Sequence, residues 1–367
     1  MNVDGPRPVG VDERDELIVN LNWVMREEVG NAPTYHLDWP HVLAPENLGN
    51  INRVKVDGKI VSSTGLWPHE NAIGAARIRV GGVNGVATHT EYRRHGFATT
   101  LLQASIARMK ELDCHISLLS TGVPSWYRKS GWEYAGTRRV YRFDRGSWPL
   151  LPEDSSVTVR AAAGGDFVRL AEIHNARRFG AIRTADLMRT SFGRRERPTW
   201  VGLRDGRIEG YVWGEVANLR EYGGSAEVVL PMLRHLYAQA DDPSIKTSTQ
   251  SVAERQRQQK PTLHSEFAAP DYSDAVTDAL DEIGAMYTRA YCDMIRLENI
   301  RGLLDGYGVY DVQVDDRGDS VEFRRGNEHV TLSRTQASKL LFGPERPSRF
   351  ASDVLPLRFH EWPADLV

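Results

Sequence analysis

A basic turn with a glycine, placed between a strand pattern and a helix pattern, is the feature that most constrains this chain. Residues 83–88 favour a buried strand. The apolar side chains after the turn recur at helical spacing: Phe97, Leu101, Leu102, Ile106 and Met109. Gly96 has no Cβ, so a ligand can come close to the backbone there. Because the first amides of a helix are unpaired and lie at its positive end, the turn predicts a cradle for a pyrophosphate.

A second pattern follows at a distance of one helix and one strand. Residues 114–120 predict the next buried strand, and the run WYRKSGW at 126–132 comes after it. Together with the Arg-x-x-Gly-x-Ala motif at 93–98, this order resembles the acetyl-CoA loop and the aromatic segment of the GNAT N-acetyltransferases.

The resemblance implies an α/β (α+β) fold with a mixed sheet, and an N-acetyltransferase that uses acetyl-CoA as cosubstrate and no metal. The residues it assigns to acetyl-CoA are Val86, Ala87, Thr88, Arg93, Arg94, His95, Gly96, Phe97, Ala98 and Thr99. In this family the strand before the loop splays from its neighbour, and its freed backbone groups bind the pantetheine arm. The alternative is an ordinary interior strand, in which Gly81, Gly82 and Gly85 mark a bulge.

Length and composition set the class of protein. A chain of 367 residues is too long for one domain of this kind and predicts two or three. With 41% hydrophobic residues, 26% charged residues and a net charge of −3, we expect a soluble, cytoplasmic protein that binds neither nucleic acid nor membrane. Two cysteines far apart in sequence make a disulfide framework unexpected. The sequence shows no signal-peptide pattern and no apolar run of about 18 residues.

Local patterns predict the elements that precede the loop. We expect Asp12 to cap the first helix. The pair Asp57-Gly58 stands between two alternating runs, 51–56 and 59–67, and predicts a hairpin.

After a linker at 146–156 the same pattern repeats. A hairpin around Asp205-Gly206 resembles the first hairpin, but no Arg-x-x-Gly-x-Ala motif precedes the helix predicted at 230–239. The run YGG at 222–224 is the weak alternative for a second phosphate loop. We interpret this part as a copy that kept the fold and lost the cofactor, and the polar run at 250–262 as a solvated surface.

From residue 294 onward we expect strands at 309–314 and 320–325 and a helix capped by Ser333. The whole order resembles the Eis-like acetyltransferases, which implies a catalytic GNAT domain at 1–146, a degenerate GNAT domain at 147–293 and a sterol-carrier-protein-like domain at 294–367. The third domain is shorter than is usual in that family. The resemblance also implies a homo-oligomer of unspecified size.

Acetyl transfer to an amine needs a base that removes a proton from the amine and an acid that protonates the leaving thiolate. The resemblance makes Tyr127 the acid and the terminal carboxylate of Val367 the base, with the chain end reaching the active site. Three alternatives stay open: Tyr127 as a packing residue, a frayed chain end, and a water near Val86 or His89 as the base.

The resemblance places residues 30–50 over the acceptor, a primary amine of a small molecule, with aminoglycoside-like polycations among the candidates. The side chains expected to contact it are acidic, aromatic or imidazole: Trp23, Glu27, Tyr35, His36, Asp38, Trp39 and Asp365. Two other functions remain open, namely transfer to a protein lysine and ligand binding with little catalysis.

Overall fold

The computed structural model describes residues 2–193, 197–241, 265–362 and 364–365. Its strands are β1 (Val3–Pro8), β2 (Ile51–Val56), β3 (Lys59–Ile73), β4 (Ala76–Thr88), β5 (Ile116–Leu119), β6 (Glu133–Phe143), β7 (Val157–Ala161), β8 (Phe179–Ala181), β9 (Thr199–Arg204), β10 (Arg207–Glu215), β11 (Asn218–Gly224), β12 (Ser265–Pro270), β13 (Tyr287–Leu297), β14 (Gln313–Asp316), β15 (Ser320–Arg325) and β16 (Glu328–Ser333). Its helices are α1 (Arg14–Met25), α2 (Tyr35–Asp38), α3 (Phe97–Glu111), α4 (Pro124–Arg128), α5 (Phe167–Arg177), α6 (Ala185–Gly193), α7 (Ala226–Asp241), α8 (Ala275–Glu282), α9 (Ile300–Gly306) and α10 (Arg334–Phe342).

Thirteen of the described strands form one mixed sheet in the order β1-β2-β3-β4-β5-β13-β6-β12-β11-β10-β9-β7, with β8 paired to β3. Strands β14 to β16 form a separate antiparallel sheet near the end of the chain. The predicted α/β (α+β) class with a mixed sheet is confirmed. None of the described helices is long and apolar enough to cross a membrane.

Both predicted hairpins are present, and the same turn chemistry forms them. Asp57 and Gly58 have φ of 48° and 86° between β2 and β3, and Asp205 and Gly206 have φ of 50° and 74° between β9 and β10. Two consecutive residues with positive φ match the twist of the flanking strands, which explains why Asp-Gly is favoured in both places.

Strand β13 enters the sheet between β5 and β6, although β5 and β6 are neighbours in sequence. Met294 pairs with Leu119 of β5 on one side and with Tyr134 of β6 on the other. The strand passes without a break through 293 and 294, where the sequence analysis places a domain boundary. The insertion brings a distant part of the chain next to the predicted loop.

Strands β4 and β5 run parallel and then diverge. The pairing ends with Gly82 and Leu118, while β4 continues to Thr88. A bulge opposite β3 accompanies the divergence, and Gly85 adopts φ of 58° within it. The backbone of 83–88 is therefore not paired to β5, and a slot opens between the two strands.

Some local predictions are wrong in detail. Asp12 lies in a short 3-10 turn, and Glu13 holds the position before α1 without a side-chain cap. Helix α7 starts at Ala226 rather than near 230, and β14 covers only the end of the strand expected at 309–314. The cap at Ser333 is confirmed, because its hydroxyl accepts a hydrogen bond from the Gln336 amide. The polar run at 250–262 lies outside the described residues.

Candidate active site

The two predicted motifs face one another across a cleft of about 430 Å³ at the open end of the slot. The cleft is lined by Val24, Val86, Thr88, Tyr92, Arg93, Arg94, Gly96, Phe97, Ala98, Thr99, Val123, Trp126 and Tyr127. Charged side chains among these described lining residues are those of Arg93 and Arg94, so the wall carries positive charge. Such a wall suits an anionic ligand.

The floor of the cleft at its basic end is the start of α3. Gly96 precedes the helix with φ of 81°, and a Cβ built there would meet no atom within 4 Å, so the position opens onto space. The first amides of α3 make no bonds within the helix and lie at its positive end. These amides and the Arg94 guanidinium offer N–H donors and positive charge, which suit a diphosphate. The Arg93 guanidinium bonds the Thr88 carbonyl at 3.1 Å and pairs with Glu28, which ties the loop to β4 and α1.

Not every predicted cofactor residue lines the cleft. Val86 and Thr88 do, but Ala87 between them points to the other face, where it packs with Leu17 and Tyr35. His95 is exposed and stacks on Phe97 with 5.7 Å between ring centroids.

Tyr127 lies in the wall of the same cleft and is 7% exposed. Its ring packs in a cluster that includes Val83 and Leu119, the residues that follow the last paired positions of β4 and β5. Its hydroxyl makes no hydrogen bond within the described part of the chain. Burial raises the pKa of Tyr127 to about 12, so the hydroxyl keeps its proton at neutral pH and can donate it to a ligand.

Several predicted acceptor residues are engaged in internal contacts. Tyr35 is buried and its hydroxyl donates to Asn84 on β4, while Asp38 is buried and paired with Arg26. Trp39 lies 4.7 Å from Tyr35 between ring centroids.

The remaining predicted acceptor residues are more accessible. Trp23 is 42% exposed and stacks on His89 at 5.9 Å, next to Val24 in the cleft wall. Glu27 is exposed and His36 is half-buried. Val367, predicted as the base, lies outside the described residues.

A second, smaller cavity of about 10 Å³ lies at the closed end of the slot. It is lined by His69, Gly82, Leu118, Leu119, Ser120, Asp293, Glu361 and Asp365. Of these, the sequence analysis named only Asp365 as a contact residue. Asp293 has a sequence signal, since it interrupts the apolar run of β13, but nothing in the sequence joins it to His69 or Glu361.

Hydrogen bonds join several polar groups of this small cavity. The His69 Nε2 atom lies 3.2 Å from Glu361 Oε1, and Asn71 also donates to Glu361, which is 1% exposed. Burial lowers the pKa of His69, but the Glu361 carboxylate outweighs it and the net pKa is raised. Asp365 accepts from Arg183 Nε at 2.6 Å. Within the described ranges, no group of three or more His, Cys, Asp and Glu side chains could hold a metal ion.

Comparison with solved structures shows how far the fold is shared. A GCN5-related N-acetyltransferase from Anabaena variabilis is 14% identical, with 93% of this chain and 89% of that chain covered and a TM-score of 0.64. A GCN5-related N-acetyltransferase from Kribbella flavida is 16% identical, with 90% of this chain and 83% of that chain covered and a TM-score of 0.59. Eis1 from Mycobacterium abscessus is 13% identical, with 90% of this chain and 84% of that chain covered and a TM-score of 0.58. At these identities the likeness shows the fold, and it extends over most of the chain.

Comparison with known sequences addresses the family. No curated protein matches the chain. Residues 6–135 match the family described as acetyltransferase (GNAT) domain, and this range contains the whole cleft wall. This part of the chain is therefore similar to the GNAT acetyltransferase domain, and the match supports an acyltransferase.

Proposed function

We propose that this protein transfers an acetyl group from acetyl-CoA to a primary amine of a small molecule, by direct attack of the amine on the thioester. The observation that carries the proposal is the cleft in which the start of α3, the unpaired part of β4 and Tyr127 face one another. Polycationic, aminoglycoside-like amines are the acceptors we favour.

Successive parts of the cleft would bind successive parts of acetyl-CoA. The amides from Arg94 to Thr99 would hold the diphosphate, and the backbone of 83–88 would hold the pantetheine arm. At roughly 3.3 Å per residue, the strand from Val86 back to Gly82 spans about 13 Å, so an arm that follows it brings the thioester toward the closed end of the slot. Tyr127, which packs against Val83 and Leu119 near that end, would then protonate the leaving thiolate.

The resemblance suggests the terminal carboxylate of Val367 as the base. The preceding segment contacts the first half of the chain, because Glu361 lies against His69 and Asn71. Trp23, Glu27 and His36 stay candidates for acceptor contacts at the accessible side.

We retain the larger organisation as a proposal as well. The part from 147 to 293 would be a degenerate GNAT domain, and the part from 294 would be sterol-carrier-protein-like, with the boundary moved past β13 so that the strand stays whole. A homo-oligomer is proposed on the resemblance alone, and a cytoplasmic location on the composition and the two cysteines far apart in sequence.

A thiol-release assay tests the function. Purified protein would be mixed with acetyl-CoA and a panel of aminoglycosides, polyamines, amino acids and lysine peptides. We expect release of CoA with at least one small amine. Release with lysine peptides alone would favour a protein acceptor, and tight binding of acetyl-CoA without release across the panel would contradict the enzyme proposal and favour a binding protein.

A further inference from the structure

The small cavity lies where an acceptor would meet the thioester. Its wall contains Gly82 and Leu118, the last paired residues of β4 and β5. A Cβ at Gly81 would point at Met109 of α3, so Gly82, its neighbour in the strand, faces the opposite side of the sheet. The cavity therefore reaches the slot from the face that α3 does not cover.

Two carboxylates in this cavity, Asp293 and Asp365, have a buried oxygen without a hydrogen-bond partner in the described part of the chain, and Asp293 is the one that makes no side-chain ion pair there. Asp293 is 4% exposed, and its Oδ2 atom is buried without a hydrogen-bond partner in the described part of the chain. A buried polar atom left without a partner costs free energy, and native proteins rarely keep one without a reason. The neighbouring carboxylates differ from Asp293 because each has a side-chain partner. His69 and Asn71 contact Glu361, and Arg183 donates to the Oδ1 atom of Asp365, whose Oδ2 atom stays without one.

The size of the cavity limits what can enter it. A volume of about 10 Å³ corresponds to roughly one water-sized group. A primary amino group at the end of a chain has that size and offers N–H donors to the carboxylate, whereas a substituted amine is larger.

We propose that the acceptor's primary amino group enters this cavity and that Asp293, rather than the end of the chain, takes its proton during acetyl transfer. The inference rests on the proposed function, which it deepens by naming the base. Glu361 and His69 are positioning residues in this account, since they fix the wall opposite Asp293 and attract a cationic amine.

The amine, which has lost one proton to solvent, attacks the acetyl carbonyl; a C–N bond forms and the C–S bond breaks. The remaining proton on the nitrogen passes to the Asp293 carboxylate, and the thiolate takes the proton of Tyr127. Transfer of one proton from Asp293 to Tyr127 through solvent restores both groups.

The charges around Asp293 set the direction of its pH dependence. Arg138 faces it from β6, Glu361 and Asp365 from the C-terminal segment, and His69 from β3. Burial raises the pKa of Asp293, with Arg138 opposing and Glu361 adding to the shift. A protonated Asp293 cannot act as a base, so turnover should fall as the pH is lowered through that pKa.

The test compares Asp293→Asn with a matched control, Glu298→Gln, a buried carboxylate beyond the end of the same strand that accepts from Ser117 Oγ at 2.7 Å and does not line the cavity. With an amine that the wild type acetylates, we expect kcat of Asp293→Asn to fall ~10²-fold or more, with affinity for acetyl-CoA unchanged. The part of the acid limb that Asp293 contributes should disappear, which leaves the limb due to protonation of the amine itself. The control should keep kcat within about twofold and keep the acid limb, and Asp293→Glu should restore part of the activity.

The melting temperature separates this role from a structural one. A carboxyl whose pKa is raised by folding stabilises the protein below its unfolded pKa and loses that contribution as pH rises, so Asp293→Asn should melt no lower than wild type at pH 8. Wild-type turnover and a normal acid limb in Asp293→Asn would overturn this inference alone. A wild type that acetylates no amine would overturn the proposed function, and this inference with it.

Discussion

Two units of this chain share the order hairpin, strand and helix, but they differ in the turn before the helix. In the first unit β4 ends at Thr88 and α3 begins at Phe97, so residues 89–96 form a loop. In the second unit β11 ends at Gly224 and α7 begins at Ala226, with Ser225 alone between them. The first turn is long enough to curve around a diphosphate at the start of its helix, whereas the second turn is a single residue.

The slot between β4 and β5 is open, whereas the corresponding slot between β11 and β12 is filled by side chains. Strand β11 pairs with β12 through Asn218 and Leu219 and then diverges, much as β4 leaves β5. In the second unit the Tyr222 and Trp362 rings are fully buried 5.3 Å apart, and Arg177 lies 4.2 Å over the Tyr222 ring. The same strand geometry therefore gives a ligand cleft in one unit and a packed core in the other.

Glu361 and Trp362, which are consecutive in the chain, contact different units. Glu361 contacts His69 beside the first slot, while Trp362 packs on Tyr222 in the second and donates to the Phe179 carbonyl at 2.9 Å. The segment that packs in the second slot thus also lines the small cavity of the first.

The largest effect is expected from placing a charge in the first cradle. Gly96→Asp should weaken acetyl-CoA binding ~10³-fold, because its carboxylate would face the diphosphate. Gly96→Asn is the matched control, since it has nearly the same shape and a similar tolerance of positive φ. Isothermal calorimetry measures both, and equal affinity for the two variants would remove the cradle from the account.

Emptying the filled slot should cost stability. Trp362→Ala removes a fully buried ring, so we expect a loss of about 3–5 kcal/mol in the free energy of unfolding, measured by urea denaturation. A loss below about 1 kcal/mol would mean that Trp362 does not hold the second unit together.

Removing the proposed acid should slow the reaction without weakening cosubstrate binding. Tyr127→Phe keeps the ring in its cluster and deletes the hydroxyl, so kcat should fall ~10²-fold while affinity for acetyl-CoA stays the same. Steady-state kinetics and calorimetry on the same preparation would show this, and an unchanged kcat would place the acid elsewhere.

The smallest effect is expected from the charge at the second helix start. Ser225 is exposed, and Ser225→Asp puts a carboxylate before α7 as Gly96→Asp does before α3. Affinity for acetyl-CoA should stay within about twofold of wild type, because this turn offers no cradle. A loss as large as that of Gly96→Asp would show that the second unit binds the cosubstrate.

Local chemistry explains what the sequence could predict. The two Asp-Gly turns, the loop around Gly96 and the position of Tyr127 depend on neighbouring residues, and the structure places the loop and Tyr127 on one cleft. Nothing in the sequence indicates that Asp38 pairs with Arg26, which is why it was expected to contact the acceptor.

Long-range pairing explains what the sequence could not predict. The small cavity is assembled from β3, β13 and the C-terminal segment, and Asp293 reaches it because β13 inserts between β5 and β6. No periodicity or motif near Asp293 encodes that strand order.

A crystal structure with acetyl-CoA tests the central claim most directly. The account predicts one cosubstrate in each chain, with its diphosphate on the amides of 94–99, its arm along 83–88 and its sulfur within hydrogen-bond reach of the Tyr127 hydroxyl. A cosubstrate bound beside β11 and α7, or one in the first unit with its sulfur far from Tyr127, would contradict it.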